Sequence, residues 1–227
     1  MTYVMSDIHG MLYKFFELFN KIGGIGERDR LYILGDFIDR GSNGILILQS
    51  IMNRPRIIPL IGNHETIALP FFRDICGGTN VETLMKSDRF ANWSANGGDE
   101  TLKEFIDLGK EQQLKLTECI GSFLYSEDIT VNGQRYHLSH SLPEYSDDFD
   151  IKNIPQTELI WGEPDYDIRY DPDVIFITGH TPTGLIDPAY KGRIWRGNGH
   201  IAIDCGAAFD GGRLGCICLE TMEEFYV

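Results

Sequence analysis

The chain has 227 residues, of which 42% are hydrophobic and 24% are charged, a composition typical of a globular domain that can bury a sizeable core. Its net charge of −14 comes from 20 basic and 34 acidic side chains. Nucleic acids and anionic membranes bind basic surfaces, so this charge argues against both as the main partner. No apolar run is long enough for a transmembrane helix, and the first residues lack the pattern of a secretory signal. We therefore expect a cytoplasmic protein; the sequence does not indicate an oligomeric state.

The five cysteines are odd in number and form no C-x-x-C motif, which is typical of reduced thiols in a cytosolic protein. Cys216 and Cys218 alternate within an apolar run. We expect them to share one face of a strand and to pack in the core rather than to bind a metal.

Short apolar runs alternate with helical patterns in the first part of the chain. The predicted strands are residues 3–5, 31–34 and 56–61, and the predicted helices between them are residues 11–22 and 43–54. This βαβαβ pattern predicts a sheet with parallel strands. Pro59 cannot donate a ladder hydrogen bond, which limits the third strand to an early or edge role in the sheet.

The middle of the chain has a different character. Residues from about 66 to 118 are polar and helix-compatible, and we interpret them as a helical insertion or cap within a single domain of residues 1–227. The turn Asn132-Gly133 then joins two apolar runs as a predicted hairpin. Residues 174–180 form a further buried strand, and the remaining β patterns indicate two sheets or one mixed sheet.

Polar side chains follow the first three predicted strands. Asp7 and His9 come after the first strand, and in an extended backbone their side chains would point to the same side and could share one cation. Asp36 and Asp39 come after the second strand, and an Asp at such a strand end is a common bridge between two cations. Taken alone, each pair has a structural alternative: a surface turn for the first, and a helix N-cap pair for the second.

Three further positions extend this pattern. Asn63 and His64 follow the third strand, while His140 and His180 each end a later strand. A polar turn or loop would explain any one of them alone. Together, however, the candidate ligands fall at the carboxyl ends of separate strands, where open α/β sheets bind their ligands. The mixture of carboxylate, imidazole and amide groups suits Mn²⁺, Fe or Zn²⁺.

The motifs SDIHG, GDFIDRG, GNHE, the strand-terminal His140 and GHTP resemble those of the calcineurin-like metallophosphoesterases. More narrowly, they are similar to the phosphoprotein-phosphatase branch of that family. The resemblance extends over nearly the whole chain, since the C-terminal IDCGAAFDGGRL also fits it. It implies an α/β fold, namely a four-layered α/β/β/α sandwich with a dinuclear metal site at its edge.

The resemblance also implies a role for each motif residue. One metal would be held by Asp7, His9 and Asp36, and the second by Asp36, Asn63, His140 and His180. His64 would be the general acid with Asp39 orienting it, and Arg40 would bind the substrate phosphate. Two divalent cations, Mn²⁺ first and Fe or Zn²⁺ as alternatives, would lower the pKa of a water so that hydroxide attacks phosphorus directly.

These roles predict a phosphatase acting on phosphomonoesters, most of all on phosphoserine and phosphothreonine in proteins, with small phosphoesters as further substrates. Two alternatives stay open: a symmetrical dinucleotide-tetraphosphate hydrolase, and a catalytically inactive metal-binding interaction module. One departure from the family bears on the choice. Relatives commonly carry a second phosphate-binding arginine before the motif at Trp161, where this chain has only one basic residue, Lys152. The candidates to replace it are Arg169, Arg193, Arg196 and Arg213.

Overall fold

The computed structural model describes residues 1–227 and contains two five-stranded β-sheets. The strands, numbered in chain order, are β1 (Thr2–Met5), β2 (Arg30–Leu34), β3 (Ile57–Leu60), β4 (Ser126–Val131), β5 (Gln134–Ser139), β6 (Val174–Thr178), β7 (Trp195–Gly197), β8 (His200–Ala202), β9 (Gly215–Cys218) and β10 (Glu224–Tyr226). The helices are α1 (Leu12–Lys21), α2 (Gly44–Ile51), α3 (Asn63–Cys76), α4 (Val81–Met85), α5 (Asp88–Ala95), α6 (Gly98–Ile106), α7 (Lys110–Gly121), α8 (Glu158–Trp161) and α9 (Thr183–Ile186). None of these helices is both long and apolar enough to cross a bilayer.

The first sheet has the strand order β10-β9-β1-β2-β3. Its strands β1, β2 and β3 are parallel, which confirms the βαβαβ prediction. Pro59 lies in β3 at the edge of this sheet, as its missing N–H requires. The strand β9 is antiparallel to β1 and places Cys216 and Cys218 together in the core on the helical side of the sheet, which confirms that they share one face of a strand and pack in the core.

The second sheet has the order β4-β5-β6-β8-β7, with a parallel centre and antiparallel edges. Its first two strands form the predicted hairpin. Asn132 and Gly133 connect them with φ angles of 50° and 83°, the left-handed conformation that a tight hairpin turn needs and that Asn-Gly adopts readily.

The alternation of side chains along β1 explains how the layers pack. Tyr3 and Met5 point into a cluster of 34 buried residues that also contains Phe15 of α1 and Leu48 of α2. Val4 points the other way, into a cluster of 14 residues between the two sheets. A third cluster covers the outer face of the second sheet. The order is therefore helices, sheet, sheet and an outer layer, which confirms the predicted α/β/β/α fold class; the outer layer consists of α8, a 3₁₀ turn at Ile151–Asn153 and irregular chain.

Five helices, α3 to α7, occupy the segment between β3 and β4. Their aromatic side chains belong to the same cluster as the helical face of the first sheet. The rings of Phe72 and Phe105 stack with centroids 3.8 Å apart, and Phe71 stacks on Trp93 at 4.8 Å. The segment is therefore packed onto the first sheet and not merely tethered to it.

The stacked ring of Phe105 gives a stability prediction. Because this side chain is fully buried, we expect Phe105→Ala to lower the free energy of unfolding by about 3–5 kcal/mol in urea titrations. The neighbouring Ile106 is 41% exposed, so Ile106→Ala is a matched control that should change stability by roughly 0.5 kcal/mol or less. Equal losses in the two variants would contradict the packing of Phe105 in the core.

Candidate metal centre

The predicted ligands lie just beyond the carboxyl ends of strands, on loops or, for Asn63, at the first residue of α3. Strands β1, β2 and β3 are parallel neighbours, and so are β5 and β6, so these loops meet at one edge of the sandwich. The structure brings together all the residues predicted there, which are Asp7, His9, Asp36, Asn63, His140 and His180.

The backbone of these loops is left-handed at six predicted site residues, with φ angles between 45° and 67°. These residues are Asp7, His9, Asp36, Asp39, Arg40 and His180. Asp and His enter this region more readily than most side chains, but each such residue still costs of order 1–3 kcal/mol. The surrounding fold must therefore hold the loops in place.

The extended backbone predicted for residues 7–9 is wrong. Both Asp7 and His9 are left-handed because the loop after β1 turns along the loop after β2. The Asp7 N–H donates to Gly35 O at 3.2 Å, and the His9 N–H donates to Asp36 O at 2.9 Å. These hydrogen bonds, and not a shared face of a strand, bring the two side chains toward Asp36.

Two glycines make room for the carboxylates. A Cβ on Gly62 would lie 2.2 Å from Asp36 Oδ1, and a Cβ on Gly179 would lie 2.2 Å from Asp7 Oδ2. Both distances are far below van der Waals contact. The loops after β3 and β6 can therefore approach these carboxylates only because they carry no side chain at that point.

Asp36 lies at the middle of the site. Its Oδ2 is 3.5 Å from His9 Nε2, 3.6 Å from His140 Nε2 and 3.8 Å from His64 Nε2. It belongs to both groups of side chains whose ligand atoms lie within 4.8 Å of one another: one group with His9 and His64, and the other with Asp7 and His140. Asp36 is thus common to both groups, but their membership differs from the predicted ligand sets: the first contains His64, and the second pairs Asp7 with His140.

Two histidines are oriented by backbone carbonyls. Nδ1 of His9 lies 2.9 Å from Ile38 O, and Nδ1 of His140 lies 2.7 Å from Leu34 O. A carbonyl oxygen can only accept, so each Nδ1 must carry the proton and each Nε2 presents its lone pair to the site. Metal-binding histidines are typically held in this way.

Several acceptor atoms of the site face one another or lack a hydrogen-bond partner. His140 Nε2 lies 2.9 Å from Asn63 Oδ1, which is also an acceptor. Asp7 Oδ1 is buried and has no hydrogen-bond partner. Burial lowers the pKa of His9 to about 3 and, together with the neighbouring His140, lowers that of His180 to about 4, so both imidazoles are neutral at pH 7. Neutral imidazoles and facing acceptor oxygens fit divalent cations.

His64 and Asp39 form a separate pair beside these ligands. Nδ1 of His64 lies 2.7 Å from Asp39 Oδ2, and its Nε2 is buried without a hydrogen-bond partner. Burial alone would lower the pKa of His64, but the Asp36 carboxylate and the hydrogen bond to Asp39 raise it to about 9. The imidazolium is therefore the favoured form, with its Nε2 proton directed into the site.

Asp39 is held by the helical segment, which sequence reasoning did not anticipate. Trp93 Nε1 donates to Asp39 Oδ2 at 2.9 Å, and Thr101 Oγ1 donates to Asp39 Oδ1 at 2.7 Å. The Asp39 N–H in turn donates to the Thr101 hydroxyl at 2.9 Å. No sequence signal connects Trp93 and Thr101 with Asp39, because more than 50 positions separate them.

Glu65 is a further residue to which sequence reasoning assigned no role. Its buried carboxylate accepts hydrogen bonds from the N–H groups of Asp36, Phe37 and Gly62 at 2.9, 2.9 and 3.0 Å. It therefore ties the loop after β2 to the start of α3. The sequence did contain a signal: a glutamate three residues after Gly62, in the first turn of a helix, is the position of a capping box.

Arg40 lies at the solvent side of the site. Its guanidinium contacts His9 Nε2 and lies 5.2 Å from the ring centroid of Phe209. The backbone N–H of Arg40 donates to Gly97 O at 3.1 Å, so the turn at residues 96–98 lies next to the site. The sequence of this segment indicates only a turn.

Three of the arginines considered as replacements for the missing one have partners elsewhere. Arg169 donates to backbone carbonyls of its own loop. Arg196 pairs with Glu224, and Arg213 donates to Gly192 O at 2.7 Å. Arg40 is thus the arginine that the structure places against a predicted ligand.

The close approach of Gly179 to Asp7 gives a second prediction. The Cβ of Gly179→Ala would push the Asp7 carboxylate away, so we expect the affinity for Mn²⁺, measured by calorimetric titration, to fall about 10–100-fold. In the control Gly109→Ala the new Cβ meets only Gln112 Oε1, at 3.7 Å, and binding should be unchanged. Unaltered Mn²⁺ binding by Gly179→Ala would contradict the role of this contact.

Comparison with known proteins shows which family this chain belongs to. A protein-family model described as calcineurin-like phosphoesterase matches residues 2–211. Serine/threonine-protein phosphatase 2 of Escherichia coli is 28% identical over 162 residues, which cover 70% of this chain and 66% of the relative. The symmetrical bis(5'-nucleosyl)-tetraphosphatase of Nitrosomonas europaea is 30% identical over 99 residues, which cover 40% of this chain and 37% of the relative.

The chain thus spans less than two thirds of the length of either curated relative. Among solved structures, a protein serine/threonine phosphatase from Saccharomyces cerevisiae superimposes with a TM-score of 0.62 at 16% identity, covering 95% of this chain and 71% of that one. This similarity establishes the fold. With the family match over nearly the whole sequence, it follows that the chain belongs to the calcineurin-like phosphoesterase family.

Proposed function

We propose that this protein is a metal-dependent phosphatase that hydrolyses phosphomonoesters, with phosphoserine and phosphothreonine in proteins as its substrates. The observation that carries the proposal is the clustering of His9, His140 and Asp7 around the Asp36 carboxylate, beside the buried His64–Asp39 pair. Family membership and the similarity to the Escherichia coli phosphatase support it. We also propose that residues 1–227 form one domain in which the helical segment supports the site.

Two divalent cations fit the ligand atoms. The first would be held by Asp7, His9 and Asp36, and the second by Asp36, Asn63, His140 and His180. When bound, such a pair supplies Lewis acidity toward the phosphoryl oxygens and lowers the pKa of a nucleophilic water. Mn²⁺ is our first choice, with Fe or Zn²⁺ as alternatives, because the ligands mix hard oxygens with imidazole nitrogens.

His64 would protonate the leaving alkoxide. Its Nδ1–H is held by Asp39 at 2.7 Å, and this fixes the ring so that Nε2 carries the transferable proton into the site. The carboxylate that orients it is in turn fixed by Trp93 and Thr101. Proton donation of this kind typically contributes about 10²–10⁴-fold to the rate.

Arg40 would bind the phosphate. Its planar guanidinium can bind two phosphoryl oxygens at once, and its exposed position lets it reach a substrate that enters from solvent. The left-handed backbone at Arg40 and its hydrogen bond to Gly97 O fix the direction from which the side chain approaches.

A dinucleotide-tetraphosphate hydrolase is the second candidate, favoured by the similarity to the Nitrosomonas europaea tetraphosphatase. The same metal and proton chemistry would serve a phosphoanhydride. An inactive binding module fits less well, because metal binding alone does not require a buried His64–Asp39 pair with a free Nε2.

The substrate assay compares phosphoserine and phosphothreonine peptides with diadenosine tetraphosphate in the presence of Mn²⁺. We expect metal-dependent turnover of the peptides and a loss of about 10²–10⁴-fold in kcat for His64→Asn, because the proton donor is removed. Mn²⁺ affinity, measured by calorimetry, should be retained in that variant. Cleavage of the dinucleotide alone would establish the second candidate, and no turnover of either despite Mn²⁺ binding would establish the inactive module.

A thermal assay tests the shared carboxylate without using activity. A ligand at 100 times its Kd stabilises the folded state by about 2.7 kcal/mol, so Mn²⁺ should raise the Tm of the wild-type protein and a chelator should reverse the rise. Asp36→Asn should abolish most of this shift, whereas the exposed control Asp107→Asn should keep it. A full shift in Asp36→Asn would contradict the shared-ligand arrangement.

A further inference from the structure

A mainly apolar cavity of about 320 Å³ lies beside the metal centre and has no part in the proposed reaction. We call it the flank pocket, and it is lined by residues of 182–185, 191–192 and 205–212. One wall follows His180 along the chain. The opposite wall belongs to the loop between β8 and β9.

A hydrogen bond ties the two walls to each other, so the flank pocket is already formed in the free protein. The Thr183 N–H donates to Asp204 O at 2.9 Å, and the Gly206 N–H donates to Asp204 Oδ1 at 2.8 Å. Asp204 is itself buried. Its backbone carbonyl therefore joins the two walls, while its side chain fixes the turn within the second wall.

The flank pocket is separated from Arg40, the proposed phosphate-binding residue, by a single side chain, that of Phe209. Phe209 lines it, and the ring of Phe209 lies 5.2 Å from the Arg40 guanidinium. Consecutive Cα atoms of a peptide are 3.8 Å apart. A peptide whose phosphate is bound by Arg40 would therefore reach the pocket within about one to three residues.

The rim of the flank pocket exposes two large apolar side chains and one free cation. Leu185 is 78% exposed and Phe209 is 48% exposed. Lys191 is exposed and forms no ion pair, although the chain has a net charge of −14. Apolar surface beside an unpaired ammonium group complements a ligand that combines an apolar group with a carboxylate.

We propose that the flank pocket binds an apolar side chain of a phosphopeptide substrate, one to three residues from the phosphorylated residue, and that Lys191 pairs with an acidic residue of the same peptide. This inference rests on the proposed phosphatase function and adds to it a preference for substrate sequence. The metal centre would act on the phosphate alone, and the flank pocket would bind residues that neighbour the phosphorylated residue in the peptide.

The test measures kcat/KM for a set of phosphoserine peptides in which leucine, alanine, aspartate or lysine occupies each position within three residues of the phosphate. Hydrolysis of p-nitrophenyl phosphate serves as the reference for each variant. We expect the wild-type protein to favour leucine over alanine about tenfold at one position. Leu185→Ser should remove most of this preference, and Lys191→Glu should exchange the preference for aspartate with one for lysine.

Two matched controls lie on the helical segment. Met85 is 50% exposed and Lys86 is exposed at the end of the same short helix. Lys86→Glu repeats the charge reversal and Met85→Ser a comparable loss of an exposed apolar side chain, both far from the flank pocket in sequence. Both control variants should keep the wild-type preferences. If they alter the preferences as strongly as the pocket variants do, the proposal is wrong.

The remaining outcomes separate this proposal from the one on which it rests. Equal turnover of all peptides would overturn the flank pocket as a peptide site and leave the phosphatase function intact. Turnover of p-nitrophenyl phosphate without any phosphopeptide would overturn both. Loss of diadenosine tetraphosphate hydrolysis in Leu185→Ser, with peptide turnover unchanged, would assign the pocket to a nucleobase and overturn the peptide proposal.

Discussion

The site depends on crowding lone pairs around one buried carboxylate. Asp36 Oδ2 has the unprotonated Nε2 atoms of His9 and His140 within 3.6 Å. Burial alone would raise the pKa of Asp36, yet the surrounding imidazoles lower it below its usual range. Acceptor groups at such distances repel one another unless a cation lies among them, so the fold must supply the energy that keeps them together.

That energy comes from groups that lie outside the predicted ligand set. Glu65 anchors the N–H groups of Asp36 and Gly62, and thereby fixes the loop after β2 against the start of α3. The left-handed residues on that loop cannot relax while these hydrogen bonds hold. In the same way, Trp93 and Thr101 fix Asp39, so the helical segment is part of the proposed catalytic arrangement as well as of the core. The two sheets position the loops, and these buried polar contacts set their local geometry.

The difference between the sheets, which position the loops, and the buried polar contacts, which set their local geometry, explains how much could be predicted from the sequence. The fold class and the strand ends that carry Asp7, Asp36 and His140 were accessible because apolar periodicity and motif spacing are local signals, and the resemblance to a family linked them. The left-handed loops were not accessible, because tertiary hydrogen bonds between neighbouring loops decide the backbone angles there. The partners of Asp39 were missed for a related reason: a tryptophan and a threonine in a helical segment look like ordinary core residues until the fold brings them to a carboxylate.

The negative net charge of the chain determines where a phosphate group can be attracted to the protein. A protein with a net charge of −14 does not attract phosphate over its surface as a whole, so cations bound at Asp36 and the guanidinium of Arg40 would have to supply the attraction at one point. Such a point charge recognises a phosphoryl group but carries no information about what is attached to it. Any discrimination between substrates must then come from surface next to that point. The flank pocket provides such a surface. Phe209 contacts Arg40 on one side of it and the unpaired Lys191 lies on the other, so it combines shape, apolar surface and charge next to the phosphate-binding group.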